Sequence, residues 1–491
     1  MDAEWFVAPE YWLARQILQR GVAVIYLIAF VAAARQFRAL IGERGMLPIP
    51  AFVARVPFRA TPSIFHLHYS DRFFAAVSWF GAALSAVIVA GALDVLPLWA
   101  SMAMWLVLWV LYLSIVNVGQ RWYGFGWESL LLEAGLIAVF VGNDETSPPL
   151  PAILLAIWLL FRVEFGAGLI KLRGDPCWRD LTCLYYHHET QPMPGPLSWF
   201  FHHLPKPLHR VEVAGNHFAQ LVVPFALFAP QPVAGIAGAI VIVTQLWLVL
   251  SGNFAWLNWV TIILACCAID HSSFATVLPA PDPPSLQDPP LWFAALVLVF
   301  TVVSVALSYW PVRNMISSHQ RMNAAFNPYH FMNTYGAFGS IGRERLEVVI
   351  EGTEDSEITE HTAWKEYGFK GKPGDPHRLP RQWAPYHLRL DWLMWFAALT
   401  PAYARDWLGP FVIRLLRNDG PTLRLLRHNP FPESPPQYVR AQLYQYRFTT
   451  WHELRQDHAW WHRTLVGEYL PPVALGRPPR ADANTPKTPT N

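Results

Sequence analysis

Apolar residues form long blocks between positions 12 and 311 of this 491-residue chain, and polar segments of different lengths separate the blocks. A helix of about 20 apolar residues is long enough to cross a lipid bilayer. Nine blocks are read as candidate spans: 12–34, 72–94, 97–118, 127–142, 150–171, 213–230, 232–251, 253–270 and 290–311. The pattern therefore predicts a polytopic α-helical membrane bundle of about nine transmembrane helices.

The pattern changes at about residue 315, where alternating and mixed-polarity segments replace the apolar blocks. Segments 343–353 and 438–450 have the alternation of β-strands, and 389–418 between them reads as helical. Three regions are therefore expected: a transmembrane bundle (1–314) with a long polar loop at 171–212, a C-terminal soluble α+β domain (315–472) and a disordered, Pro-rich tail (473–491).

Composition agrees with a membrane protein. Hydrophobic residues make up 53% of the chain and charged residues only 15%, whereas soluble domains average about 25% charged residues. The net charge of +2 and the lack of a basic arm exclude a typical nucleic-acid partner. Membrane lipids are the expected surroundings, and many of the 24 Trp lie at block ends, as an interfacial belt requires.

Ionisable and amide side chains interrupt the fourth, fifth and sixth predicted spans. They are Glu128, Glu133, Arg162, Glu164, Lys171, Arg173, Asn216, His217 and Gln220. A charge at the centre of a span costs roughly 2.5–3.5 kcal/mol on insertion scales, so these groups are expected to face protein. Two readings remain open: structural ion pairs, such as Arg162 with Glu133, or a polar cavity that opens towards the 171–212 loop. Gly166 and Gly168 are expected to allow close packing in either case.

The 171–212 loop begins at a Gly174–Asp175–Pro176 turn and contains Cys177 and Cys183. The two cysteines are either free thiols or, if the loop is exoplasmic, a disulfide. We predict the disulfide, which would fix the part of the loop that carries aromatic residues and histidines. The histidines of "HHET" (187–190) and "FHHLPKPLHR" (201–210) are interpreted as interfacial residues, and no metal site is predicted.

Several long motifs resemble the lipase maturation factor family, in order and from about residue 11 to about 472. They are "VNVGQRWYGFGWESLLLEAG", "FGAGLIKLRGDPCWRDLTCLYYHHETQPMPGP", "NHFAQLVVPF", "SGNFAWLNW", "NTYGAFGSIGRERLEVVIEGT" and "PYHLRLDWLMWFAAL". The resemblance implies a membrane-embedded factor, without a cofactor, that helps a secreted lipase or other exported client protein to fold. It implies the endoplasmic reticulum membrane in a eukaryote and the cell (inner) membrane in a bacterium.

Under this resemblance, exposed aromatic residues of the loop are expected to dock the client. They are Trp178, Tyr185, Tyr186, Trp199 and Phe200. The family also implies that the loop and the C-terminal domain are exoplasmic, whereas the positive-inside rule would place these Arg-rich segments in the cytoplasm. The orientation is left open here.

A more distant resemblance is to the vitamin K-dependent carboxylase and its bacterial relatives, carried by "AGLIKL" (167–172). It implies an alternative function: a membrane enzyme that acts on a lipidic, quinone-like substrate, with Lys171 as the base. Glu128, Glu164 and His217 would then belong to the catalytic site. Glu128 departs from that pattern, because those enzymes carry a functional histidine at this position.

Overall fold

The structure is a computed structural model that describes residues 5–277, 279 and 281–476. The chain forms two compact units: Met1–Arg343 with Leu379–Arg389, and Glu344–Arg378 with Leu390–Asn491. The predicted domain boundaries at 314 and 472 remain predictions. Most of the predicted tail at 473–491 lies outside the described residues.

Helices build the first unit. They are α1 (Trp12–Leu40), α2 (Ile49–Val53), α3 (Asp71–Val89), α4 (Leu98–Val118), α5 (Gly126–Ala138), α6 (Leu150–Arg173), α7 (Pro176–Arg179), α8 (Leu184–Thr190), α9 (Ser198–His202), α10 (Lys206–Leu221), α11 (Val223–Ala226), α12 (Val233–Ser251), α13 (Leu257–Cys266), α14 (His271–Val277), α15 (Leu291–Leu307) and α16 (Tyr309–Ile316).

Six helical segments of the described residues are long and apolar enough to cross a membrane: Pro9–Leu40, Asp71–Val89, Leu98–Val118, Leu150–Arg173, Val233–Ser251 and Leu291–Ile316. The number rises to seven if α13 and α14, which meet at a bend of 109°, are one broken span. The predicted class, a polytopic helical membrane bundle, is confirmed. The number of full-length helices is smaller than the nine predicted blocks.

Helix breaks explain the difference. The block at 127–142 contains α5, a helix of 13 residues that ends well before the block does. The block at 213–230 is divided between α10 and α11, and Pro224 lies in the first turn of α11. The block at 253–270 contains the ten-residue α13 and the bend that follows it. The apolar composition of a block gives its length but does not show where the helix within it is broken.

Helix α6 is the most enclosed of the spans. Of its apolar window 72% is buried, compared with 22% for Leu291–Ile316. It packs against α5, α10, α13 and α15. A Cβ atom at Gly168 would lie 2.8 Å from Leu221 Cδ2 and 3.0 Å from Gln220 Cβ, so glycine is what permits α10 to approach this closely. The predicted role of Gly168 in close packing is confirmed.

The second unit contains a four-stranded antiparallel sheet in the order β2-β1-β3-β4. Its strands are β1 (Arg345–Thr353), β2 (Lys365–Glu366), β3 (Tyr438–Phe448) and β4 (Trp461–Val473). Its helices are α17 (Arg389–Leu399), α18 (Leu408–Leu416), α19 (Gly420–Leu423) and α20 (Trp451–Asp457). Arg389, the first residue of α17, belongs to the first unit. The two predicted strands correspond to β1 and β3, which pair in register from Arg345 with Tyr446 to Thr353 with Tyr438. The predicted helical segment 389–418 is broken after Leu399 by Pro401.

Candidate functional site

Lys171, near the end of α6, lies in a hydrogen-bonded network of amide side chains. Its amine donates to Asn216 Oδ1 at 2.9 Å and to Gln220 Oε1 at 2.8 Å, and both acceptors lie on α10. The amine also lies 5.1 Å from the centre of the Trp178 ring, within the range of a cation–π interaction. Lys171 is therefore held by α10 and by the loop that follows α6.

Glu164 extends this network into the bundle. It accepts hydrogen bonds from Gln220 Nε2 at 3.1 Å and from Gln245 Nε2 at 2.6 Å. Asn258 Nδ2 donates in turn to Gln245 Oε1 at 2.6 Å, so the network joins α6, α10, α12 and α13. Because Gln220 donates to Glu164 and accepts from Lys171, one neutral amide bridges the carboxylate and the amine.

Arg162 and Glu133 form the direct ion pair that the sequence analysis gave as its example of a structural pair. Both side chains are essentially inaccessible to solvent. Tyr335 donates to Glu133 Oε2 at 2.8 Å, and Arg162 donates to the carbonyl oxygen of Asn333 at 2.8 Å. Asn333 Nδ2 also donates to Glu133 Oε2, at 3.0 Å. The pair is thus closed by the segment that precedes β1.

Glu128 belongs to a different cluster from Lys171. Arg389 donates to Glu128 Oε1 at 2.6 Å, and the hydroxyl of Tyr112 donates to the other carboxylate oxygen. His387 Nδ1 lies 3.5 Å from Glu128 Oε1. Among the residues predicted for a catalytic site, Lys171 and Glu164 therefore belong to one hydrogen-bonded network. Glu128 lies outside that network and is bonded to Arg389.

Two further polar residues that the sequence singled out, His217 and Arg173, lie on different helices. His217 on α10 forms a hydrogen bond through Nε2 to the carbonyl oxygen of Trp178, at 3.0 Å. Arg173, the last residue of α6, is exposed and donates to the carbonyl oxygen of Ser317 at 3.1 Å and to Gln320 Oε1 at 2.9 Å. His217 therefore joins α10 to the loop after α6, and Arg173 joins the end of α6 to the segment after α16.

A disulfide joins Cys177 and Cys183, whose Cα atoms lie 4.8 Å apart, as predicted. Both cysteines are buried in a small apolar core with Trp178, Val213 and Ile341. Cys266 and Cys267 are buried free thiols. The turn closed by the disulfide is therefore packed against α10, and its cysteines are shielded from solvent.

Asp175 fixes this turn to the segment that precedes β1. It accepts from Arg343 Nη2 at 2.8 Å and from the backbone N–H of Cys177 at 3.0 Å, and its own N–H donates to the carbonyl oxygen of Gly339 at 2.8 Å. Burial raises the pKa of this carboxyl, but the hydrogen bonds from Arg343 and Cys177 outweigh it and hold the pKa below its usual value. Trp178 Nε1 adds a bond to the carbonyl oxygen of Phe338 at 2.8 Å.

The aromatic residues predicted to dock a client differ in exposure. Trp178 is 3% exposed and Trp199 is fully buried, so both pack inside the loop and neither presents a contact surface. Phe200 is 40% exposed, and Tyr185 and Tyr186 are half-buried. Arg210 donates to the Tyr185 hydroxyl at 3.2 Å, and the Arg343 guanidinium lies 4.8 Å from the Tyr186 ring centre. Of the five predicted docking residues, only Tyr185, Tyr186 and Phe200 are therefore accessible to a client.

The partners that the sequence analysis missed are Asn333, Tyr335 and Arg389. Each lies far along the chain from the charge that it satisfies; Arg389, for example, is 261 positions from Glu128. A signal was nevertheless present, since these residues lie in "NTYGAFGSIGRERLEVVIEGT" and "PYHLRLDWLMWFAAL", two of the motifs that carry the family resemblance. From the sequence, these motifs predict only a strand at 343–353 and a helix from 389 onward, and no side-chain partner for the buried charges.

The fold and these buried polar clusters define a multi-pass integral membrane protein with a C-terminal domain that contains a β-sheet. The family model for the lipase maturation factor transmembrane domain matches residues 13–276, and that for the lipase maturation factor C-terminal domain matches residues 331–471. The chain belongs to the lipase maturation factor family.

Individual relatives match over nearly the whole chain. Lipase maturation factor 1 of Bos taurus is 39% identical over 95% of this chain and 90% of its own length. The Homo sapiens protein of the same name is also 39% identical, over 95% of this chain and 88% of its own. Lipase maturation factor 2 of Xenopus tropicalis is 29% identical, over 96% and 83%. No solved structure matches.

Proposed function

We propose that this protein is a membrane-embedded maturation factor for a secreted lipase or another exported client protein. The observation that carries the proposal is membership of the lipase maturation factor family across both the transmembrane and the C-terminal regions. The relatives that match over about nine-tenths of their length bear the name lipase maturation factor 1. A secreted lipase is therefore the first client to test.

The surface that we assign to client docking is the outer side of the 171–212 loop. Its aromatic members are Tyr185, Tyr186 and Phe200, and the same loop exposes the aliphatic side chains of Leu208 (42% exposed) and Val211 (65%) on α10. Exposed apolar side chains suit the transient binding of an incompletely folded client, whose own apolar surface is not yet buried. The disulfide and the Asp175 contacts support this role, because they hold the surface in one shape.

The docking role requires the loop to lie on the exoplasmic side, where disulfides form and persist. We therefore propose this orientation over the one that the positive-inside rule gives. In a eukaryote the membrane would be that of the endoplasmic reticulum, and in a bacterium the cell membrane. A cysteine introduced at Val211, which is 65% exposed in the same loop, tests the orientation. An impermeant maleimide should label it in intact vesicles whose outer face is exoplasmic, and labelling only after the membrane is opened would place the loop in the cytoplasm.

The enzyme alternative has less support. Lys171 has both amide acceptors of α10 as partners, and Glu128 is bonded to Arg389. A general base needs a free lone pair within reach of a substrate proton. None of the relatives described above is named as a carboxylase. We accordingly propose no cofactor and no quinone-like substrate.

The function is tested by deleting the gene and measuring a secreted lipase both by activity and by protein mass. A maturation factor is expected to change the activity per unit of secreted lipase, or the secreted fraction, without changing lipase synthesis. Unchanged values for every exported lipase of the host would overturn the lipase assignment, and an unchanged amount and activity of every other exported protein would overturn the proposal as a whole.

The docking surface needs a matched variant. Replacing Tyr185, Tyr186 and Phe200 together with serine is expected to abolish complementation while the protein still accumulates in the membrane. The control is Phe58→Ser, because Phe58 is 53% exposed but lies outside the 171–212 loop. Equal loss in the control and the triple variant would remove the assignment of this surface.

A further inference from the structure

Three side chains of metal-ligand type meet where α8 packs against α10. His188 lies on α8, and His209 and Glu212 lie on α10, three positions apart and therefore on one face of the helix. One ligand atom of each residue lies within 4.8 Å of the others. The ring centres of His188 and His209 are 5.7 Å apart. The cluster thus draws on both histidine motifs of the loop.

His188 has an unusual environment for a buried imidazole. Its side chain is only 3% exposed, and neither ring nitrogen has a hydrogen-bond partner within the described part of the chain. Buried polar atoms are nearly always satisfied, so an unsatisfied ring calls for a partner that the protein does not itself supply. A neutral imidazole is the form that coordinates metals.

The other two side chains are already oriented by outer contacts. His209 Nδ1 lies 2.9 Å from Glu212 Oε2, and the opposite nitrogen, Nε2, lies 3.4 Å from the carbonyl oxygen of His202. Trp247 Nε1 on α12 donates to the other carboxylate oxygen of Glu212 at 3.0 Å. A backbone carbonyl behind the histidine and a donor behind the carboxylate are the supports that metal ligands usually have. Nδ1 of His209 and Oε2 of Glu212 face each other, so an ion bound by both would replace the hydrogen bond that now joins them.

We propose that His188, His209 and Glu212 bind a divalent transition-metal ion, and that Zn²⁺ is the ion this ligand set suits best. Two imidazoles and one carboxylate form a known zinc ligand set, whereas calcium and magnesium prefer oxygen ligands alone. Tetrahedral ligand atoms at zinc distances of roughly 2.0–2.1 Å lie about 3.3–3.4 Å from one another. Because His209 Nδ1 and Glu212 Oε2 are 2.9 Å apart, these two atoms would separate slightly as they and His188 close around the ion.

The site would have a structural role. His188 and His209 are both buried, so the ion would tie α8 to α10 and hold the two halves of the 171–212 loop together. This inference does not depend on the identity of the client. This structural role differs from the interfacial role expected for these histidines from the sequence. The two histidine motifs are separate in sequence, and only the fold shows that they meet.

A second group, Asp175 with Cys177 and Cys183, also has its ligand atoms within 4.8 Å of one another. The disulfide between the two cysteines leaves no thiolate to bind an ion. The histidine cluster is therefore the better candidate of the two.

The test uses the full-length protein, purified in detergent without a polyhistidine tag. After dialysis against a chelator and exposure to excess zinc, bound zinc is measured per chain by elemental analysis, together with the zinc affinity. The wild-type protein is expected to retain one ion. His188→Gln and His209→Gln should each weaken zinc binding by more than about 10-fold, and Trp247→Phe by about 10-fold, as loss of an outer contact does.

His203→Gln is the matched control, since His203 lies in the same loop and bonds through Nδ1 to the carbonyl oxygen of Trp199 at 2.7 Å. It should retain the ion, as should a variant with serine at Cys266 and Cys267. If the histidine variants fail to fold, Co²⁺ added to the wild-type protein provides an independent readout through visible absorption bands. No stoichiometric zinc and no cobalt bands in the wild-type protein, or equal binding in His188→Gln, would overturn the proposal.

Discussion

Helix α6 buries two cations in different ways. Arg162 contacts the Glu133 carboxylate directly, and Asn333 and Tyr335 complete that cluster from outside the bundle. Lys171 is bonded to the amides of Asn216 and Gln220, and its charge reaches Glu164 only through the second amide. Both cations have partners within the protein, so an ionisable residue in a predicted span indicates a tertiary contact and does not by itself indicate catalysis.

The difference also predicts how each region responds to change. A direct buried pair that loses one member leaves an uncompensated charge, which is costly. An amide-bridged network that loses one member keeps several neutral hydrogen bonds. A substitution in the direct ion pair should therefore lower the free energy of unfolding several-fold more than a substitution in the amide-bridged network.

The largest effect is expected for Glu133→Gln, which leaves Arg162 buried without a carboxylate. The variant should lose about 3–5 kcal/mol of stability or fail to accumulate. Thermal unfolding in detergent measures the loss, and Glu145→Gln at an exposed position is the control. A loss below about 1 kcal/mol would mean that Arg162 finds other compensation.

Removal of the disulfide comes next. Cys177→Ser with Cys183→Ser should cost about 2–3 kcal/mol, because the short closed loop no longer restricts the unfolded chain. Membrane insertion should be unaffected, whereas client maturation should fall. Protease sensitivity within 171–212 and thermal unfolding are the measurements, with serine at Cys266 as control. A variant as resistant as the wild type would show that the Asp175 contacts alone hold the loop.

Acidification should destabilise the first unit through His387. Burial, together with the charge of Arg389, lowers the pKa of this residue to about 4, and Glu128 opposes part of the shift. The stabilisation is complete above the unfolded value of about 6.5 and is lost as the pH falls towards 4. At pH 5 the loss is about 2 kcal/mol, since each pKa unit is worth about 1.4 kcal/mol.

His387→Gln tests this assignment, because glutamine does not titrate and still offers an acceptor to Trp127 Nε1, which lies 3.4 Å from His387 Nδ1. Its stability should change less than that of the wild type between pH 7.5 and pH 5. An equal change in both proteins would assign the acid sensitivity to other groups.

The smallest effect is expected for Lys171→Gln. The new amide can still donate to Asn216 or Gln220, and Gln245 continues to donate to Glu164, so the loss should be about 1 kcal/mol. Thermal unfolding beside Glu133→Gln measures the contrast. A loss as large as that of Glu133→Gln would remove the distinction between the two regions.

Sequence reasoning was most successful where the signal is continuous. Six apolar blocks became long helices, because uninterrupted hydrophobicity and length are sufficient to define a span. Strands β1 and β3 were found because alternation is a local property. Strand β4 was not, since "TLVGEYLPPV" near its end contains Gly467 and two prolines, which argue against a strand.

The site was predictable only in part, because its partners are distant in sequence. The pairing of Arg162 with Glu133 was accessible since both lie in neighbouring spans. Arg389 as the partner of Glu128 was not, because no local pattern connects positions 261 residues apart. Aromatic content likewise indicated an apolar loop but not that Trp178 and Trp199 turn inward.

The central claim is that the charges of α6 support the architecture and that the loop surface performs the function. One complementation experiment tests it most directly: the activity per unit mass of secreted lipase, measured with Lys171→Gln and with serine at Tyr185, Tyr186 and Phe200. We expect near wild-type maturation by Lys171→Gln and maturation at the level of the deletion strain by the triple variant. Loss of maturation by a stably folded Lys171→Gln, with the triple variant fully active, would contradict it.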